Sequence, residues 1–242
     1  MIHDAVALDD PVAASLDGHH AHLARRLGRA ATFLPDVATF SCVSAAPSGR
    51  SASGEPDAEA WADLARLLGP GAFADMFSGE ATPPADWEPV FVLEGRQMIL
   101  PGGLRSGRPC VGAAASVVEL GPADVPEMLD LVALAQPGPF RARTRELGAY
   151  LGVRENGALV AMAGERLRPP GWTELSAVCT APAARGRGYA SLLVGELVAR
   201  VEARGEHPFL HVAEANAGAI GLYESMGFES RRAVTFRGFR TP

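Results

Sequence analysis

The chain has 242 residues, 48% hydrophobic and 21% charged, enough for one large domain or two small ones around a real core. Its formal net charge of −6 argues against general affinity for nucleic acid or an anionic membrane, and the composition is not that of a disordered chain. The three cysteines, Cys42, Cys110 and Cys179, are far apart and form no C-x-x-C, so neither a zinc site nor a redox pair is indicated.

From the N-terminus, a helix is predicted near Val12 to Arg29. It carries His19, His20 and His22 on what reads as a solvated face, without a carboxylate or cysteine at ligand spacing. A strand is predicted near Ala38 to Val43. Residues 46–58 are rich in Pro, Gly and Ser and read as an exposed loop. Helices are expected near Glu59 to Leu68 and Ala72 to Phe77, then a strand pair from Pro89 to Leu100 turning at Glu94-Gly95. Pro101 to Pro109 reads as a connector. The division that follows is an N-terminal α/β domain at 1–108, a linker at 109–114 and a second domain at 115–242.

The second half opens with a strand from Ala115 to Leu120, a helix from Pro122 to Ala135 and another helix near Pro139 to Leu147. Tyr150 to Arg154 and Ala158 to Arg166 flank Glu155-Asn156-Gly157, a hairpin signal. An apolar strand then ends at Thr180, followed by a Pro-containing bend and the loop Arg185-Gly186-Arg187-Gly188. Tyr189 onward places Leu192, Leu193, Leu197, Val198 and Val201 on one helical face. A strand–loop–helix of this kind binds anions, because the first turn of the helix has unpaired N–H donors and the positive end of the dipole. Gly188 lets a phosphate approach the main chain, and Arg185 and Arg187 add charge, so the expected anion is a pyrophosphate. No G-x-G-x-x-G follows a strand and the chain contains no lysine for a G-K-[ST], which removes the Rossmann and P-loop readings.

After a strand at Pro208 to Ala213, Asn216 suits an N-cap, and Ala219, Leu222, Tyr223 and Met226 share a helix face. Gly227 suits the C′ position, and a closing pair of strands is predicted at Glu229 to Ala233 and Thr235 to Phe239.

Two of these segments resemble motifs of the GNAT superfamily, the acetyl-CoA-dependent N-acetyltransferases. Arg185, Gly188 and Ala190 meet the motif A pattern Q/R-x-x-G-x-G/A, preceded by Val178 and Thr180 on the strand. Asn216 to Phe228 is similar to motif B, N-x-x-A-x-x-L-Y-x-x-x-G-F, at every specified position. The resemblance covers roughly residues 115–240. It implies a C-terminal GNAT fold, a central mixed and mostly antiparallel sheet with helices on both faces. The N-terminal α/β half is then either a degenerate repeat of that fold or an unrelated lid.

The resemblance further implies acetyl-CoA as acyl donor, an amine acceptor and direct transfer in a ternary complex. Val178, Cys179 and Thr180 would pair with the pantetheine arm, and Arg185, Gly186, Arg187, Gly188, Tyr189 and Ala190 would hold the pyrophosphate. Asn216 would meet the pantetheine or cap its helix. Tyr223 occupies the tyrosine that often protonates the coenzyme A thiolate. Glu174, eleven residues before Arg185, occupies the spacing of a general-base glutamate in histone-acetylating members, with Glu165 and Glu214 in reserve. A base in a dry cleft should titrate above its ordinary value. Arg141, Arg143, Arg145, Glu146 and Glu165 are candidate acceptor contacts.

Three functions remain open at this point. They are an N-acetyltransferase on a small or peptidyl amine, an acyltransferase using longer acyl-CoA like the two-domain glycine N-acyltransferases, and a silent coenzyme A-binding module. No metal is expected, nor a nucleic-acid or membrane partner, and the state is monomer or homodimer. With no basic segment preceding an apolar core and no run of about 20 apolar residues, the expected location is cytoplasmic.

Overall fold

The computed structural model describes residues 5–45, 56–77, 79–105 and 116–242. The predicted linker at 109–114 and Cys110 lie outside the described residues, as does most of the Pro/Gly/Ser-rich stretch.

The N-terminal half begins with a short helix, α1 (Pro11–Asp17), capped by the Asp10 carboxylate on the Ala13 N–H and stopped at Gly18. The helix predicted to run on to Arg29 is therefore corrected. Residues after the turn enter a small antiparallel sheet of β1 (Ala24–Leu27), β2 (Ala30–Phe33) and β3 (Ser41–Val43). The histidines also part company. His20 is fully buried, its Nε2 donating to the Leu147 carbonyl at 2.9 Å, rather than lying on a solvated face.

Helix α2 (Ala58–Leu68) starts where Asp57 accepts from the Glu59 and Ala60 N–H groups, both at 3.1 Å. It packs Trp61 and Leu64 toward Met76 and Trp87. The segment expected as a further helix at Ala72 to Phe77 is instead β4 (Phe73–Met76). A run of four residues gains more from pairing with β11 at the sheet edge than from one turn of helix.

The predicted hairpin at Pro89 to Leu100 is corrected as well, because β5 (Glu88–Ile99) runs straight through Glu94-Gly95. Gly95 is not a turn residue. A Cβ there would run into the Phe236 ring and lie 2.8 Å from the Val212 carbonyl oxygen. Likewise the predicted closing pair is a single strand, β11 (Glu229–Arg240), with a bulge near Arg231.

The second half supplies β6 (Val117–Glu119), α3 (Val125–Ala135), β7 (Tyr150–Glu155), β8 (Ala158–Glu165), β9 (Trp172–Thr180), α4 (Tyr189–Ala203), β10 (His207–Ala213) and α5 (Ala217–Met226). The hairpin between β7 and β8 turns at Asn156-Gly157, both with positive φ as a two-residue turn of this kind requires. The helix expected near Pro139 to Leu147 is only a 3₁₀ turn, Thr144–Leu147.

All of these strands join β4 and β5 in one eight-stranded sheet, in the order β4-β11-β5-β10-β9-β8-β7-β6. Every neighbouring pair in it is antiparallel except β9 with β10. The buried face of α4, with Leu193, Val194, Leu197, Val198 and Val201, packs with Leu151, Val153, Leu175 and Leu210 of the sheet. On the opposite side Phe33, Phe40, Leu147, Trp172 and Phe209 form a core shared by both halves. Two strands of the first 108 residues thus lie within the sheet of the second half, with β5 in its interior.

Candidate active site

Strands β9 and β10 are paired in parallel only from Trp172↔His207 to Leu175↔Leu210. Beyond those residues they separate, and β9 continues to Thr180 paired with β8 alone. The β8–β9 register slips here, so that Ala177 and Val178 together oppose one residue of β8 between Met162 and Gly164. Ala177 sits at φ 52, a left-handed value that an alanine adopts at a cost and that bulges commonly impose.

The gap between the strands is a continuous cleft of about 930 Å³. One wall is β9 from Leu175 to Thr180, and the opposite wall is Val212, Ala213, Asn216, Ala219, Leu222 and Tyr223. Its mouth is the loop Arg185 to Gly188 with the first turn of α4, and its inner end holds Asp75, Phe77, Arg166, His211 and Phe236.

Local sequence explains the mouth. Gly186 and Gly188 take φ 77 and 79, which turn the chain sharply so that α4 begins at Tyr189 with its amino end at the cleft. The Nε of Arg185 donates to the Thr180 carbonyl at 3.3 Å, and Arg185 has no carboxylate partner among the described residues. Arg187 differs, held by Glu155 at 2.6 and 2.8 Å and by the Ala183 carbonyl at 3.0 Å. The Tyr189 hydroxyl donates to the same Glu155, and these two partners keep that carboxyl below its ordinary value. At the far wall Asn216 caps α5 by accepting from the Ala219 N–H at 3.2 Å, and Gly227 ends it at φ 105. Tyr223 lines the cleft with its ring edge-on to Phe228, and burial raises its hydroxyl to about 12.

The structure thus brings Val178, Cys179, Thr180, Arg185, Gly186, Arg187, Gly188, Tyr189, Ala190, Asn216 and Tyr223 to one cleft. Glu174 is not among the residues lining it. This strand carboxylate is fully buried, and Arg166 grips it through Nε at 2.8 Å and Nη2 at 2.6 Å. The Nδ1–H of His211 donates to it at 2.6 Å. Burial alone would raise its pKa, but the Arg166 charge and hydrogen bonds, with those of His211, outweigh burial and hold it at about 2. The expected upward shift is therefore corrected, and with both oxygens committed Glu174 is a poor proton acceptor. Its network continues, since the Gln97 amide donates to His211 Nε2 at 3.1 Å and to the Leu8 carbonyl at 2.9 Å.

The reserve carboxylates are also engaged elsewhere, Glu165 with Arg204 at 2.8 Å and Glu214 with Arg96. Of the candidate acceptor contacts, Arg143 and Glu146 pair with each other on the surface. The inner end of the cleft contains residues that the sequence did not mark. Asp75 and Phe77 lie on or just after β4, Phe91 and Leu93 on β5, and Phe236 on β11. Phe73-Ala74-Asp75-Met76-Phe77 has no apolar–polar alternation, so nothing local marks it as a strand.

A sheet that splays between two parallel strands, with a glycine-turned helix terminus at the opening, is the arrangement that the resemblance to the GNAT superfamily implies. Residues 150–237 match the family model described as FR47-like protein. Over its length the fold is similar to the crystal structure of a GNAT-family protein from Novosphingobium aromaticivorans, at 37% identity and TM-score 0.83, covering 97% of this chain and 98% of that one. The chain belongs to the GNAT family of acetyltransferases. A GCN5-related N-acetyltransferase from Kribbella flavida shares the fold at 17% identity and TM-score 0.62, covering 98% and 96% of the two chains. In sequence, 100 residues are 39% identical to the N-alpha-acetyltransferase RimI of Mycobacterium tuberculosis. That match takes in 38% of this chain and spans 62% of the relative's length.

Proposed function

We propose that the protein is an acetyl-CoA-dependent N-acetyltransferase acting on the primary amine of a small molecule or peptide, by direct attack in a ternary complex. The observation that carries this reading is the continuity of the cleft, which runs from the α4 terminus past β9 and Tyr223 to Asp75. The pyrophosphate would rest on the N–H groups after Gly188 beside Arg185, whose charge has no carboxylate partner among the described residues. The pantetheine would follow the stretch of β9 that β10 leaves unpaired. Tyr223 would protonate the departing thiolate. Its raised pKa keeps it protonated at every working pH, while lessening its strength as an acid.

The test is thiol release over a panel of amines, including peptide α-amines such as the name of the RimI relative suggests, with acetyl-CoA and longer acyl-CoA donors. Turnover with acetyl-CoA is expected. Tyr223→Phe should lower kcat roughly tenfold to a thousandfold while leaving coenzyme A affinity nearly unchanged, because the ring still packs. Preference for longer donors would redefine the acyl group. Tight coenzyme A binding without turnover on any amine would favour a silent binding module, and an unchanged kcat would return Tyr223 to the core.

A further inference from the structure

Resting on the acetyltransferase reading, we infer that Asp75 holds the ammonium of the acceptor and accepts its proton, and that the acceptor is an amine on an apolar or aromatic body. Strand β4 pairs with β11 at the sheet edge, with Asp75 opposite Gly238. Alternation along the strand sends Asp75 and Phe77 to the cleft, while Ala74 and Met76 join the cluster around Trp61 on the other face. Asp75 is 4% exposed, and the Thr39 hydroxyl donates to its Oδ2 at 2.6 Å.

Among the described residues lining the cleft, Asp75 is the one acidic side chain, and no cation lies within salt-bridge distance of it. Arg166, also in the cleft, is committed to Glu174 and lies over the rings of Phe77 and Phe40 at 4.5 and 5.0 Å. A buried carboxylate without a cation is costly, and a bound ammonium would supply the missing partner.

The charge environment suits proton transfer. Burial raises the Asp75 carboxyl to about 6, against the Thr39 hydrogen bond and the charges of Arg166 and Arg141, which act the other way. At neutral pH it is then mostly ionised, yet a better proton acceptor than an ordinary carboxylate. Around it Phe77, Phe91, Leu93 and Phe236 offer only hydrocarbon, so the remainder of the acceptor gains by being apolar.

The step balances as follows. One ammonium proton passes to Asp75, and the freed nitrogen lone pair attacks the thioester carbonyl. As the C–N bond forms and the tetrahedral adduct collapses, the C–S bond breaks with its electrons on sulfur. The thiolate takes a proton from Tyr223, which regains one from the amide nitrogen, and Asp75 returns its proton to solvent.

The test uses the full chain with phenethylamine and with a peptide beginning in phenylalanine as two sources of the same chemistry, and ethanolamine as the polar comparison. Calorimetry should show Asp75→Asn weakening phenethylamine binding about tenfold or more, with coenzyme A affinity unchanged. In turnover, kcat/KM should rise through a limb near pH 6 that Asp75→Asn removes and Asp75→Glu partly restores. At neutral pH the Asn variant should fall about 10²-fold. Amine binding and a pH limb untouched by Asp75→Asn would overturn the assignment, and a preference for ethanolamine would overturn the apolar acceptor. Phenethylamine binding that depends on Asp75 without any turnover would support the ammonium site and count against the transferase reading instead.

Discussion

Glu174 and Asp75 are two buried carboxylates whose surroundings push them in opposite directions. Glu174 has Arg166 and His211 against it and is held at about 2, whereas Asp75 has no ion pair among the described residues and rises to about 6. The low value makes Glu174 a structural group with a predictable pH signature. Its folded pKa lies below the ordinary 4.5, so its contribution to stability is present above about 4.5 and is lost as pH falls toward 2. Glu174→Gln leaves the Arg166 guanidinium buried without its counter-charge. Chemical denaturation at neutral pH should show a loss of about 3–5 kcal/mol, typical of breaking a buried pair. The variant should also lose less stability than the wild type on acidification between 4.5 and 2. A variant as stable as the wild type, with the same acid dependence, would show that the ion pair contributes nothing net.

The segments whose information is local were legible in the sequence. The first turn of α4 after Gly188, the Asn216 cap, the Gly227 stop and the Asn156-Gly157 hairpin each depend on residues a few positions apart, and each lies where its residues indicate. What was hidden depends on distant partners. The glycine at position 95 looks like a turn until Phe236, 141 residues on, is known to cross it. The Phe73 to Phe77 run looks helical until β11 is there to pair with it. The inner end of the cleft was missed for the same reason, since Asp75 reaches it only through that pairing. The motif A turn allows a direct test at its own scale. Gly188→Asp places a carboxylate in the proposed phosphate space, and aspartate tolerates the left-handed φ of 79 better than most residues. Calorimetry should detect no coenzyme A binding, while the thermal transition shifts little. Retained affinity would remove the anion site from this loop.

At the scale of the whole molecule, β5 decides whether the two halves are independent. It pairs with β10 from Gly95 to Ile99 and with β11 along nearly its whole length, so removing it exposes unpaired edges on both neighbours. It also carries Met98 into the main core. We therefore expect a fragment of residues 116–242 to lack a cooperative unfolding transition, even though it contains both recognised motifs. The geometry supplies its own rescue. Strands β11 and β5 are antiparallel, and Arg240 lies opposite Glu88, so the end of one is beside the start of the other. A permuted fragment in which a short turn after residue 242 leads into residues 88–100 could form the native pairing as a simple hairpin. Denaturant titration followed by circular dichroism should show a cooperative transition for the permuted fragment and none for the unextended one. If residues 116–242 alone unfold cooperatively, β5 is an accessory to a complete domain, and the boundary in sequence is also a boundary in folding. If only the permuted form does so, the unit that carries both motifs is built from both halves, with β5 the strand that completes its sheet.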